Sequence, residues 1–258
     1  MRAVDVVKKV APRVRPEYRE AFENGDALLA KAGINTPLRL AHFLAQVMHE
    51  SGGLTVTAEN MSYRAPRMLQ IFGEGNHSAA ISQSEAEHLA GKPSALAERV
   101  YGVGNSKKAK ELGNLTPGDG YKFRGSGIMQ TTGRSNYRRM GERCGVDFES
   151  HPDLVCSAEH ALKPALAEWI EGKLNALADK NDLRGITKRI NGGYNGLAER
   201  EAWFKKIRPL IDTVDFEISA KPHIEPAKPA PPPPDVPPIP PKPKGFWASL
   251  VSIFKRPS

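Results

Sequence analysis

Thirteen of the 22 prolines in this 258-residue chain lie between Pro222 and Ser258. Proline fixes φ and lacks a backbone N–H, so a run of it neither continues a helix nor pairs in a sheet, and it settles into an extended polyproline spacer. The chain is thereby divided into a body over residues 1–221, a spacer over 222–244 and a short terminal segment over 245–258. In that last segment Phe246, Trp247, Leu250, Val251, Ile253 and Phe254 are followed by Lys255 and Arg256. The combination reads as a helix lying at an anionic membrane or envelope surface, too short to span it, or as a segment docking on the body or in a partner's groove.

The body has apolar content enough for a core, with 40% of the chain hydrophobic against 26% charged. Apolar residues recur at helical spacing over 17–32 and stop at Gly33. A second helix is predicted to start at Thr36, a capping residue followed by Pro37, and to set Leu40, Phe43, Leu44, Val47, Met48 and Ser51 on one face before Gly52 and Gly53 end it. Helical patterns continue over 64–72, 84–89, 94–100, 132–144, 157–173, 174–178, 182–191 and 197–211. Strand-like alternation is nearly absent, so the fold class is mostly α. The glycine-rich stretch 102–127 reads as a long ordered loop or a short hairpin, the kind of segment that carries function.

A net charge of +8 favours encounter with polyanions such as cell-wall polymer, nucleic acid or anionic lipid, and does not choose among them. Two cysteines, Cys144 and Cys156, exclude a disulfide-stapled scaffold and point to a reducing compartment, with a single disulfide between them left open. The histidines and cysteines lack zinc-like spacing, so no metal and no cofactor are expected. Met1 to Val14 interrupts its apolar residues with Arg2, Asp5, Lys8, Lys9 and Arg13, which predicts no signal peptide and accumulation in the cytoplasm. A monomer that does not bind nucleic acid is the expectation.

Candidate chemistry sits at Glu50 and Glu59. Glu50 closes the second helix at the edge of its apolar stripe, where partial desolvation and the negative end of the helix dipole favour the neutral carboxyl that a general acid needs. Glu59 follows past the glycine turn, so two carboxyl groups are tethered to opposite sides of one turn, an arrangement suited to glycosidic bond cleavage. On spacing alone, both also fit solvated surface glutamates.

Three segments in order, LAHFLAQVMHESGGL with TAENMSY, then GDGYKFRGSGIMQTTGRSNYRRMG, then RINGGYNGLAER, resemble glycoside hydrolase family 19, in particular its small prophage-encoded endolysin branch. The resemblance covers most of residues 17–211. It implies a lysozyme-like α-helical domain with a substrate cleft and an inverting hydrolase acting on peptidoglycan glycan strands, or on chitin. By the same resemblance Glu50 is the general acid, Glu59 the general base, and Thr132 the hydroxyl that helps hold the attacking water. Gln130, Asn136 and Asn191 match sugar-binding side chains, and Tyr121, Tyr137 and Arg200 fall where relatives line or brace the cleft. From the residues themselves, Gln130, Thr132 and Asn136 suit helix capping equally well, Asn191 an Asn-Gly turn, and Arg200 either a carboxylate partner or a surface position.

One departure stands out: relatives commonly carry Arg-Gly-Arg-Gly where this chain has Arg124, Gly125, Ser126 and Gly127, which removes a contact or brace at the cleft floor. His49, adjacent to the acid, points about 100° away from it and reads as a packing or hydrogen-bonding residue. A wall-binding protein that has lost catalysis is the remaining reading, and the presence of both Glu50 and Glu59 argues against it.

Overall fold

A computed structural model describes residues 2–212; the spacer and the aromatic terminus lie outside the described residues. Among the described residues fourteen α-helices run in order: α1 (Ala3–Val10), α2 (Pro16–Glu23), α3 (Asp26–Lys31), α4 (Pro37–Glu50), α5 (Ala65–Phe72), α6 (Gln83–Leu89), α7 (Pro93–Tyr101), α8 (Ser106–Leu112), α9 (Asp119–Lys122), α10 (Arg134–Cys144), α11 (Leu162–Glu171), α12 (Asn175–Ala178), α13 (Leu183–Asn191) and α14 (Leu197–Asp212). A 3₁₀ turn over Pro152–Cys156 precedes α11. No strand occurs among the described residues, only isolated bridges, so the mostly α fold is as expected.

The organising element is α4. Thr36 accepts a hydrogen bond from the Arg39 N–H at 3.2 Å and Pro37 occupies the first turn, the start that its sequence predicts. Its burial exceeds the single predicted face, because every residue from Leu40 to Met48 is buried; a helix apolar on most sides belongs at the centre of a core. Helix α14 lies along it, and α1, α2, α3, α11, α12 and α13 contribute to the same apolar core. A second core gathers around Met68, Phe72, Leu96 and Val100 from α5 to α7. A third, smaller one holds Phe123, Tyr137, Met140, Phe148 and Val155.

Several boundaries differ from the sequence pattern for local reasons. The run over 17–32 is broken into α2 and α3 at Gly25, where a Cβ would come within 2.4 Å of Leu162 and 2.6 Å of the Ala21 carbonyl. Helix α1, within the charged N-terminal stretch, buries Ala3, Val4, Val6, Val7 and Val10. The glycine-rich stretch holds α8, capped by Asn105 and closed by left-handed Gly113, as well as α9. Its end is a tight reversal in which Ser126 and Thr131 exchange backbone hydrogen bonds at 3.1 and 2.8 Å. Both cysteines are free, and Cys156 Sγ donates to the Thr57 carbonyl at 3.1 Å. Among the described residues no helix is long and apolar enough to cross a membrane.

Candidate active site

Glu50 ends α4 and is only 4% exposed. Its Oε1 accepts from Nη2 of Arg200, a fully buried residue of α14. The guanidinium is fixed on its other edges: Nε donates to Gln46 Oε1 at 2.7 Å and Nη1 to the Asn195 carbonyl at 2.8 Å. Burial pushes the Arg200 guanidinium below its ordinary value, and the Glu50 charge opposes that shift. Arg200 is therefore a carboxylate partner within the protein rather than a surface residue, and it has no exposed atom with which to bind a sugar. His49 packs on Gly196, where a Cβ would lie 2.3 Å from the imidazole.

The chain leaves α4 through three consecutive left-handed residues, Gly52, Gly53 and Leu54. Ser51 holds that turn, donating to the Val47 carbonyl at 2.6 Å and accepting from the Leu54 N–H at 2.9 Å. The following segment is laid against the reversal at 125–127: the Glu59 N–H donates to the Gly125 carbonyl at 2.7 Å, and the Gly127 N–H to the Thr57 carbonyl at 2.8 Å. Glu59 is thereby drawn inside, 3% exposed, with Oε1 accepting from the Tyr101 hydroxyl at 3.0 Å. Burial raises its carboxyl from 4.5 to about 7, against the opposing pull of the Tyr101 hydroxyl, the Gly125 backbone and the Arg124 charge.

Around Gly125 three polar side chains converge. A Cβ there would meet Thr132 Oγ1 at 3.1 Å, Gln130 Oε1 at 3.2 Å and Glu59 Oε2 at 3.6 Å. Thr132 donates to the Gln130 carbonyl at 2.9 Å, and Gln130, in the left-handed region at φ 47°, turns its Nε2 back to the Gly127 carbonyl at 2.8 Å. The Gln130 Oε1 is buried without a hydrogen-bond partner among the described residues, as is the Asn191 Oδ1 at the end of α13. Buried amide oxygens left open in this way are suited to accept an N–H or O–H from a ligand. Asn136 is half-buried and engaged, donating to the Thr132 carbonyl at 2.6 Å and accepting from Arg139 at 2.8 Å. Tyr121 is half-buried beneath Arg124, whose guanidinium lies 4.2 Å over its ring.

Of the two expectations for Tyr137, lining or bracing the cleft, burial excludes the first, since no atom of it is open to a substrate. It is fully buried in the third core, packs edge-on to Phe123, and braces the loop by donating to the Arg124 carbonyl at 3.0 Å. Ser126, in place of the second arginine, has its Oγ 3.2 Å from the Arg124 carbonyl. Two supporting residues went unread in the sequence. Gln46 lies one turn before Glu50 on α4, a spacing that could have flagged it. Tyr101 carries no such signal: it reaches Glu59 across 42 residues, and Asn114, donating to the Tyr101 carbonyl at 2.9 Å and accepting from the Arg134 N–H at 2.8 Å, joins it to the start of α10. No three His, Cys, Asp or Glu side chains converge as a metal site among the described residues.

Two buried carboxyl groups thus stand in unlike surroundings, Glu50 against a guanidinium and Glu59 desolvated beside a hydroxyl, environments of the kind that divide acid and base roles in breaking a glycosidic bond. No family model matches the chain. A glycosyl hydrolase family 19 domain-containing protein of Haemophilus influenzae is 35% identical over 176 residues, covering 67% of this chain and 80% of that protein. Among solved structures, chitinase C from Streptomyces griseus aligns with a TM-score of 0.52 at 18% identity over 81% of this chain and 77% of its own. A bacterial family 19 chitinase aligns with a TM-score of 0.50 at 17% identity, covering 80% and 93%. With the motifs, the helical architecture and a relative at this level of identity in agreement, the chain belongs to glycosyl hydrolase family 19.

Proposed function

We propose that the chain is an endolysin-type lysozyme that hydrolyses the β-1,4 glycosidic bonds of bacterial peptidoglycan with inversion, from the cytoplasmic side once the inner membrane has been opened. Glu50 donates a proton to the leaving oxygen, and Glu59, with the Thr132 hydroxyl beside it, removes one from the attacking water. The observation that carries this reading is the convergence of Glu59, Thr132 and Gln130 on Gly125, with Glu50 fixed by Arg200 on α14. In the free protein burial favours a proton on Glu59 and the guanidinium favours charge on Glu50, the converse of the productive form. Both microstates hold one proton between two carboxyl groups, so they coexist in a fixed ratio at every pH, and the reaction draws on the productive one.

For the substrate, the motifs resemble the endolysin branch and the net charge of +8 favours an anionic wall polymer. Chitin is the competing substrate, since the two solved structures named above are chitinases. Purified peptidoglycan and chitin oligomers digested side by side, with mass analysis of the new ends, separate the two. Peptidoglycan fragments with new reducing ends are expected; cleavage of chitin alone would make the chain a chitinase. NMR of the first-formed product should show the α anomer, and the β anomer would overturn the role of Glu59 as a base.

A further inference from the structure

Beside the Gly125 loop lies a cavity of about 600 Å³ lined by Tyr121, Lys122, Arg124, Ser150, His151 and Asp153, among others. Its size falls within the roughly 300–1,000 Å³ of ligand sites. It adjoins the reacting centre, because Arg124 precedes Gly125 in the chain and its charge acts on the Glu59 carboxyl. Arg124 is built into the wall: its guanidinium stacks 4.2 Å over the Tyr121 ring and Nη1 donates to the Tyr121 carbonyl at 2.9 Å. Unlike Arg134, Arg138, Arg143 and Arg200, each paired with a carboxylate, it makes no ion pair among the described residues. A guanidinium oriented by a ring and a carbonyl presents its remaining donors as a fork that matches a carboxylate. Lys122, exposed and 5.1 Å over the Phe123 ring, adds a second cation, and the Asp153 carboxylate offsets one of the two.

We infer that this cavity is a subsite for the carboxylate-bearing substituent on alternate sugars of the glycan, with Arg124 as its principal anion contact and Lys122 as a secondary one. The inference rests on the peptidoglycan reading above, and it explains how a family 19 cleft would tell that polymer from uncharged chitin. The carboxylate could come from the peptide or from the lactyl group to which the peptide is joined, and the two sources can be separated.

The test measures binding by calorimetry in the full chain carrying Glu59→Gln, so that loss of the Arg124 charge cannot act through the titration of Glu59. The ligands are glycan fragments with their peptides, the same fragments stripped by an amidase to leave the lactyl carboxylate, and chitin oligomers of equal length. Adding Arg124→Gln should weaken the peptide-bearing or the stripped fragments about tenfold or more, as expected for hydrogen bonds to a charged group, and leave the chitin oligomer within about twofold. Weakening of only one fragment type identifies which carboxylate is bound. Lys122→Gln, at an exposed position, should shift the same preference in the same direction by a smaller factor. Equal weakening of all three ligands, or an unchanged preference in both variants, overturns the subsite while leaving the peptidoglycan reading in place. Binding of the chitin oligomer with neither peptidoglycan fragment bound overturns both.

Discussion

Glu59 illustrates how a buried carboxyl weakens the fold that holds it. Its carboxyl moves from 4.5 to about 7 on folding. Between those values the folded state keeps a proton that the unfolded chain has released, so stability falls as pH rises from about 4.5 to 7, and above 7 the whole cost, on the order of 3 kcal/mol, is present. Glu59→Gln should therefore be inactive and yet more stable than the parent at pH 8, by up to that amount, with the difference vanishing near pH 4; chemical denaturation at the two pH values checks it. Since the productive form holds one proton between Glu50 and Glu59, kcat/KM should fall as pH rises through about 7, where that proton is lost. Tyr101→Phe removes a donor that favours the charged form and should move that limb to higher pH. Glu50→Gln should lose turnover by roughly 100-fold or more. It also leaves the buried Arg200 facing a neutral partner, which should cost up to about 3 kcal/mol; if the double variant Glu50→Gln with Arg200→Met is no more stable than Glu50→Gln alone, the ion pair is not the source of that loss.

The loop at Gly125 and helix α4 divide the work of positioning. A methyl group at residue 125 would crowd the Thr132 and Gln130 oxygens at 3.1 and 3.2 Å and reach ordinary contact with Glu59 at 3.6 Å, taking up the space between the three groups proposed to hold the attacking water. Gly125→Ala should consequently fold with a nearly unchanged melting temperature and lose most of its activity. Thr36→Ala should do the reverse, lowering stability by about 1 kcal/mol through the lost cap while sparing the chemistry. The start of α4 was legible because a capping threonine and a first-turn proline are local signals. Helices α8 and α9 were not, since each is short and its caps, Asn105, Gly113 and Gly118, lie among glycines that also suit a loop.

For the molecule as a whole, every residue assigned to catalysis or binding precedes residue 212, so deletion of 222–258 should leave hydrolysis of purified peptidoglycan nearly unchanged. A loss should emerge only where a membrane is present. Binding of the full chain to anionic vesicles should weaken with salt through Lys255 and Arg256 and collapse in Trp247→Ala with Phe254→Ala, which remove much of the segment's aromatic area. Indifference of the full chain to such vesicles at low salt would sink the interfacial reading.

Local chemistry in the chain was enough to establish a mostly α body, the cap and glycine turn that bracket α4, and the order of the three motifs that mark the family. These depend on neighbours a few residues apart, through periodicity, capping and left-handed glycines. The electrostatics of the site could not be read that way. Arg200 lies 150 residues from Glu50, and the hydroxyl that restrains Glu59 comes from another helix, so a glutamate that looked like surface on spacing alone is buried, as is an arginine for which a surface position was also open. Burial is a property of everything packed around a group, and the charge state of a carboxyl follows from that burial and from partners which only folding brings within hydrogen-bond reach.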